Sequence, residues 1–184
     1  MVLYLTRHGE TDYNIEGRYA GSTDLPLNNT GIAQAEELVS RVRGLSLDRV
    51  VSSSLLRARQ TAERVSAALN IPFNACENFN ERKMGVFEGL KIEEARELYP
   101  EVWHKIRAGS PDAATEGGET LRQVCDRVDI EMERLRKEYR NENILLICHV
   151  FVTQAVHRYC RGLPIEEMSD FILKNCEVIT YTLE

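Results

Sequence analysis

The stretch Ile144-Leu145-Leu146-Ile147-Cys148 is apolar at every position and then breaks abruptly at His149. A strand with one face in water alternates polar and apolar residues. A strand with no polar position must be buried on both faces, as happens where helices cover the two sides of a parallel sheet. The pattern recurs on a smaller scale. Residues 2–6 form an apolar run that leads into Arg7-His8-Gly9, and Val50-Val51 leads into serines at 52, 53 and 54 and then Arg57. Between these runs the period becomes helical. Ile32, Ala35, Val39 and Val42 share a face, with Thr30 expected as N-cap; residues 55–69 follow, closed by Asn70 and Pro72. One or two short helices are expected over 91–108, broken at Pro100, and a stripe runs from Leu121 through Val124, Cys125, Val128, Met132 and Leu135 to Tyr139. A helix to about Tyr159 follows His149, and an alternating strand over 177–183 closes the chain. Strands alternating with helices predict an α/β fold with helices on both faces of the sheet. With no repeat or Pro/Gly-rich linker to divide it, 1–184 reads as a single domain.

Charge and cysteine usage narrow the function. With 23 Lys and Arg against 29 Asp and Glu, the net charge is −6. Nucleic acid and anionic membrane both need a broad basic surface, so neither is expected as a partner. The first residues lack a basic region, and no apolar stretch reaches membrane-spanning length. The five cysteines are scattered, with no C-x-x-C pair, which predicts reduced thiols and a cytoplasmic setting. Cys125, Cys148 and Cys160 lie in apolar segments and read as small buried hydrophobes. His104 and His157 form no H-x-x-x-H or H-E-x-x-H pair, so no metal is expected.

Ligands of open α/β sheets collect at the carboxyl ends of the strands. Two His and two Arg arrive there by three routes: Arg7 and His8, then Arg57, then His149. Guanidinium pairs suit phosphate, because each offers planar bidentate donation that never titrates away. A neutral imidazole can attack phosphorus if an acceptor holds its other nitrogen, and a tight turn at Gly9 could supply a backbone carbonyl. The second imidazole is expected to be charged, stabilising the transferring group. An acid is still required to protonate the leaving oxygen.

The order of short motifs resembles the histidine phosphatase superfamily (phosphoglycerate mutase-like) over essentially the whole chain. Leu5-Thr6-Arg7-His8-Gly9-Glu10-Thr11 with Asn14 looks like the family's opening motif, and Gly21-Ser22-Thr23-Asp24-Leu25-Pro26-Leu27 ahead of Thr30-Gly31 like its next segment. Ser54-Leu55-Leu56-Arg57-Ala58-Arg59 matches the segment carrying the second phosphate-binding Arg. Asn80-Glu81-Arg82 before Gly85-Val86-Phe87-Glu88-Gly89 looks like the stretch supplying the acid. Gly117-Gly118-Glu119-Thr120 and Ile147-Cys148-His149 complete the series. The resemblance implies a three-layer α/β/α sandwich around a mixed, mostly parallel sheet. It also implies His8 as nucleophile, Arg7, Arg57 and His149 as binders of the phosphoryl group, and Glu81 as proton donor. Asn14, Gly21 and Val150 would complete the pocket, with no cofactor.

At 150 the family usually has Gly; here Val150 restricts the backbone and predicts a reshaped pocket. The C-x5-R spacing of Cys76 and Arg82 mimics cysteine-dependent phosphatases, but Glu77 and Glu81 lie in the segment that would face a dianion, so that chemistry is set aside. Mutases of the family carry a longer insertion with paired Arg, a Tyr where Met84 stands, and a closing C-terminal tail. Here residues 103–116 contain only Lys105 and Arg107 as cations, and the chain ends on its last expected strand. The expectation is therefore a phosphomonoester hydrolase of the small phosphatase branch, acting on a small phosphorylated metabolite, α-ribazole phosphate or a broad range. The alternatives are a phosphoglycerate mutase-type phosphotransferase and a catalytically impaired binding member of the fold.

Overall fold

The computed structural model describes residues 1–183; Glu184, the last residue of the expected 1–184 domain, lies outside the described residues. In chain order the elements are β1 (Val2–Arg7), α1 (Asp12–Glu16), α2 (Asn29–Val42), β2 (Arg49–Ser53), α3 (Leu56–Leu69), β3 (Phe73–Cys76), α4 (Ile92–Leu98), α5 (Pro100–Arg107), α6 (Leu121–Glu138), β4 (Asn143–Cys148), α7 (Val150–Arg161) and β5 (Val178–Thr182). The sheet order is β3-β2-β4-β1-β5. Strands β1 to β4 run parallel, and β5 joins β1 antiparallel.

The unbroken apolar run of β4 is explained by its two faces. Ile144, Leu146 and Cys148 enter one core with Val128, Met132 and Leu135 of α6 and Val152, Ala155 and Val156 of α7. Leu145 and Ile147 enter a second core with Leu38 and Val42 of α2 and Ala58, Ala62 and Val65 of α3. This is the expected α/β/α sandwich around a mixed, mostly parallel sheet. A third, smaller cluster of Met84, Phe87, Ala95, Ile106 and Ala113 lies apart from the strands, with α4 and α5.

Three local details differ from the sequence reading. Helix α2 is capped by Asn28, not Thr30: the Asn28 side chain accepts from the Gly31 N–H at 2.8 Å, and Thr30 already lies inside the helix. Edge strand β3 alternates too weakly to announce itself and exists through its pairing with β2. The five-residue α1 carries no buried stripe. Pro100 separates the short helices as expected, standing at the first turn of α5, where a missing N–H costs nothing. Of the three cysteines expected inside, Cys125 and Cys148 are buried and Cys160 is half-buried.

Candidate active site

Adjacent strands β2, β4 and β1 deliver the site from their carboxyl ends. At the end of β1 the His8 N–H donates to the Cys148 carbonyl at 3.0 Å, carrying the ladder one residue past the strand. Strand β4 ends on His149, which caps α7. Strand β2 turns into α3, whose second residue is Arg57. The His8 and His149 rings therefore lie side by side, with centroids 5.0 Å apart and planes tilted by 55°.

His8 is 3% exposed and its Nδ1 lies 2.6 Å from the Gly9 carbonyl oxygen. A carbonyl only accepts, so the Nδ1–H donates and the lone pair is left on Nε2. Burial, then the charges of Arg57 and Arg7, push the His8 pKa well below the usual histidine value, so the ring is neutral near pH 7. Gly9 is required because a Cβ there would sit 2.4 Å from the Gly31 carbonyl oxygen. Its N–H donates to Thr61 Oγ1, and Thr61 Oγ1 in turn donates to the Arg57 carbonyl, tying the His8 loop to α3.

The Arg57 side chain is 1% exposed and donates to the carbonyls of Thr23 (2.8 Å) and Gly21 (2.9 Å). Gly21 sits at φ +48, and the Glu88 carboxylate fills the space a Cβ would need. Glu88 accepts from Ser22 N–H and Oγ, Thr23 Oγ1 and the Met84 N–H, bracing the loop whose carbonyls aim Arg57. The buried Nε atoms of Arg7 and Arg57 and both ring nitrogens of His149 have no hydrogen-bond partner among the described residues. Such donors persist where an anion completes them.

His149 in the free protein differs in charge from the form expected beside a transferring group. Burial, followed by the charges of Arg57, His8 and Arg7, holds its pKa well below the usual value. The ring of the free protein is neutral rather than charged, because two guanidiniums already supply positive charge in a poorly hydrated spot. A phosphate dianion among them would reverse that balance.

Glu81 reaches the rim through Asn80, whose Oδ1 accepts from Ser53 Oγ, Ser54 N–H and Ser54 Oγ. Two serines of the 52–54 run thus anchor the loop that carries Glu81. Desolvation raises the Glu81 pKa, opposed by a hydrogen bond from the Arg82 N–H and by Arg57 and Arg7. Part of its surface remains open. Cys76 is not part of this chemistry: burial pushes its thiol up to about 11, and the Arg82 guanidinium is committed to the carbonyls of Glu119 (2.8 Å) and Ala113 (2.7 Å).

Arg7, His8, Arg57, Glu81 and His149 come together as read from the sequence. Asn14 spends its side-chain oxygen on the Thr11 N–H, capping α1, and Gly21 spends its carbonyl on Arg57. Val150 opens α7 half-buried in ordinary helical backbone, so its position does not require Gly. Thr61 and Asn80 went unassigned in the sequence. One helical turn after Arg57, Thr61 could have been found from spacing alone; Asn80 bonds across 26 and 27 residues and leaves no local trace.

A sheet rim carrying two imidazoles, two guanidiniums and a carboxyl defines a phosphate-handling α/β protein. More particularly, the chain belongs to the histidine phosphatase superfamily (branch 1), whose family model matches residues 3–184. It is 33% identical over 172 residues to the uncharacterized phosphatase PhoE of Bacillus subtilis, covering 94% of this chain and 83% of PhoE. It is 30% identical over 178 residues to the probable phosphoglycerate mutase GpmB of Escherichia coli O1:K1, covering 97% and 83%. The crystal structure of the α-ribazole phosphatase from Shigella flexneri superposes with a TM-score of 0.92 at 28% identity, covering 100% of this chain and 91% of that one.

Proposed function

We propose that the chain, as one domain over 1–184, is a metal-independent phosphomonoester hydrolase working through a covalent phosphohistidine on His8. The observation that carries this reading is the 2.6 Å bond from His8 Nδ1 to the Gly9 carbonyl, which leaves Nε2 as the nucleophilic nitrogen. Phosphoryl oxygens would lie among Arg7, Arg57 and His149, helped by the Val150 N–H at the start of α7. His8 Nε2 forms the N–P bond as the ester P–O bond breaks, and the leaving oxygen takes a proton from the Glu81 carboxyl. Water then attacks the phosphohistidine, giving a proton back to Glu81 and releasing phosphate and neutral His8. Burial favours the protonated Glu81 that the first step needs.

The substrate class is a small phosphorylated metabolite in the cytoplasm. The likeness to an α-ribazole phosphatase makes α-ribazole phosphate the first compound to try within a broad panel. Nucleic acid and membrane are not partners in this reading; among the described residues no helix is long and apolar enough to cross a membrane. The likeness to GpmB favours a second reading, in which a phosphorylated acceptor rather than water takes the group from His8.

The test is phosphate release from phosphomonoesters, p-nitrophenyl phosphate and α-ribazole phosphate included, in EDTA, for the native chain and His8→Ala. Release that survives EDTA and falls roughly 10⁴-fold or more in His8→Ala supports the hydrolase. Isomer exchange of 3-phosphoglycerate with its bisphosphate primer, outpacing phosphate release, would favour the mutase. A folded protein that turns over nothing would point to a binding role.

A further inference from the structure

The last loop of the chain reaches back to the nucleophile. Asn175 Nδ2 donates to the His8 carbonyl at 2.6 Å across 167 residues of sequence. Its neighbour Cys176 donates its N–H to the Arg7 carbonyl at 2.9 Å, and its own carbonyl accepts from Arg41 at 3.2 Å. Cys176 is 3% exposed and holds φ at +56 without being glycine. A side-chain-bearing residue keeps that conformation only where its surroundings over-determine it.

We infer that Asn175 is a positioning residue that sets the tautomer of His8, an inference that rests on His8 being the nucleophile. Gly9 has the widest backbone freedom of any residue, yet its carbonyl must hold one direction for the Nδ1–H bond to persist. Its freedom is removed from outside. The peptide joining His8 and Gly9 is planar, with its carbonyl bound by Asn175 and its N–H bound by Thr61 Oγ1 at 3.1 Å. The next peptide holds the Gly9 carbonyl itself, and its N–H donates to Gln34 Oε1 at 2.8 Å. Without Asn175, the peptide between His8 and Gly9 keeps a bond on its N–H end alone and can rotate toward another donor. That rotation carries the Gly9 carbonyl off Nδ1, and the imidazole gains access to the tautomer with hydrogen on Nε2. In that form the nitrogen that attacks phosphorus has no lone pair to use.

The experiment uses the full chain with ¹⁵N-labelled histidine. The imidazole nitrogen shifts of His8, read by long-range ¹H–¹⁵N spectra, report the tautomer without any turnover; kcat and KM come from p-nitrophenyl phosphate. In the native chain His8 shows the Nδ1–H pattern. In Asn175→Leu the pattern moves toward Nε2–H and kcat falls about 10- to 30-fold, while KM stays within about 3-fold. Asn175→His, which offers an N–H at similar reach, restores both pattern and kcat. Asn175→Asp keeps the shape and replaces the donor by an oxygen, so it repeats the tautomer change should Asn175→Leu fold poorly. Unchanged His8 shifts in the donor-less variants would overturn the inference, as would a kcat loss that Asn175→His does not restore. Turnover surviving in His8→Ala would instead sink the phosphohistidine reading, leaving the tautomer spectra to decide Asn175 separately.

Discussion

The phosphate cradle and the segment over 83–116 are held in different ways. In the cradle, Arg7, His8 and His149 leave neighbouring parallel strands whose ladder bonds fix their backbones, with Arg57 buried in the first turn of α3. The 83–116 segment has its own small core and lies outside the sheet, tied by scattered backbone bonds, among them those of Leu90 and Gly89 to Tyr19, and by side-chain bonds to backbone. Arg82 binds the carbonyls of Glu119 and Ala113, and Thr115 Oγ1 donates to the Met84 carbonyl. Phe151 links the two regions, packing against both cores and lying beneath the Arg82 guanidinium. A surface groove on this segment, lined by Tyr99, Lys105, Ser110 and Asp112, contains none of the five site residues. In the proposed reading, phosphoryl chemistry falls to the part held by the sheet, and the choice of leaving group to the part built outside it.

The largest effect expected to sharpen this division comes from Glu81, which stands between the two. In Glu81→Gln, kcat on an alkyl phosphomonoester falls roughly 10²- to 10³-fold, because a poor leaving group needs the proton. On p-nitrophenyl phosphate, whose leaving group departs as the anion, the loss stays below about 10-fold. Equal losses on both substrates would remove Glu81 from its role. In the native enzyme the acid form persists above the ordinary carboxyl range, since burial raises the pKa. Activity on the alkyl ester therefore declines as pH rises through that raised value. Neutral His8 extends the acid limb below the usual histidine range.

Arg82 tests how the second region is hung. Arg82→Met leaves two carbonyls without their charged donor, and urea unfolding is expected to show a loss of about 2–4 kcal/mol. No change in stability would mean that the two Arg82 bonds do not hold the 83–116 segment in place.

Phe151→Ala is expected to reorder the substrate panel by about 5- to 10-fold while kcat on p-nitrophenyl phosphate stays within about 3-fold. A uniform loss across all substrates would erase the boundary between the two regions.

The smallest effect is on thermal stability. His8 and His149 protonate well below the usual value in the folded chain, whereas the unfolded chain takes up those protons near pH 6.5. Below that pH the unfolded state binds more protons, so stability present above 6.5 is lost as pH falls. Glu81, with its pKa raised, pulls the other way. The difference between the native chain and His149→Gln isolates one imidazole. It is expected to steepen below pH 6.5 toward a limit of about 1.4 kcal/mol per pH unit, or roughly 3–5 °C in Tm. A constant difference across that range would show that His149 is not held neutral.

Much of this was legible in the chain because the relevant physics is local. A five-residue apolar run needs two covered faces wherever it sits, and β4 has them. The helical stripe from Leu121 to Leu135 became the buried face of α6. Arg7, His8 and His149 stand at strand ends and Arg57 at the start of the helix after one, so predicting parallel strands predicted their meeting at one rim. The Asn28 cap, β3 and the neutral state of His149 were not legible, since each depends on a neighbour distant in sequence or on burial.

By itself, then, the sequence determined the layers, the strands that end on phosphate chemistry and the membership of the reactive set, because periodicity and strand ends are properties of short segments. The tertiary structure alone decided the state of those residues. His8 carries its hydrogen on Nδ1 because of the fold at Gly9, and His149 is neutral because two guanidiniums are buried beside it. Thr61, Asn80, Glu88 and Asn175 hold the set through bonds spanning 26 to 167 residues, besides the local contacts of Glu88 to Met84 and Thr61 to Arg57. Protonation and orientation depend on what surrounds a group in space, and no short segment carries that information.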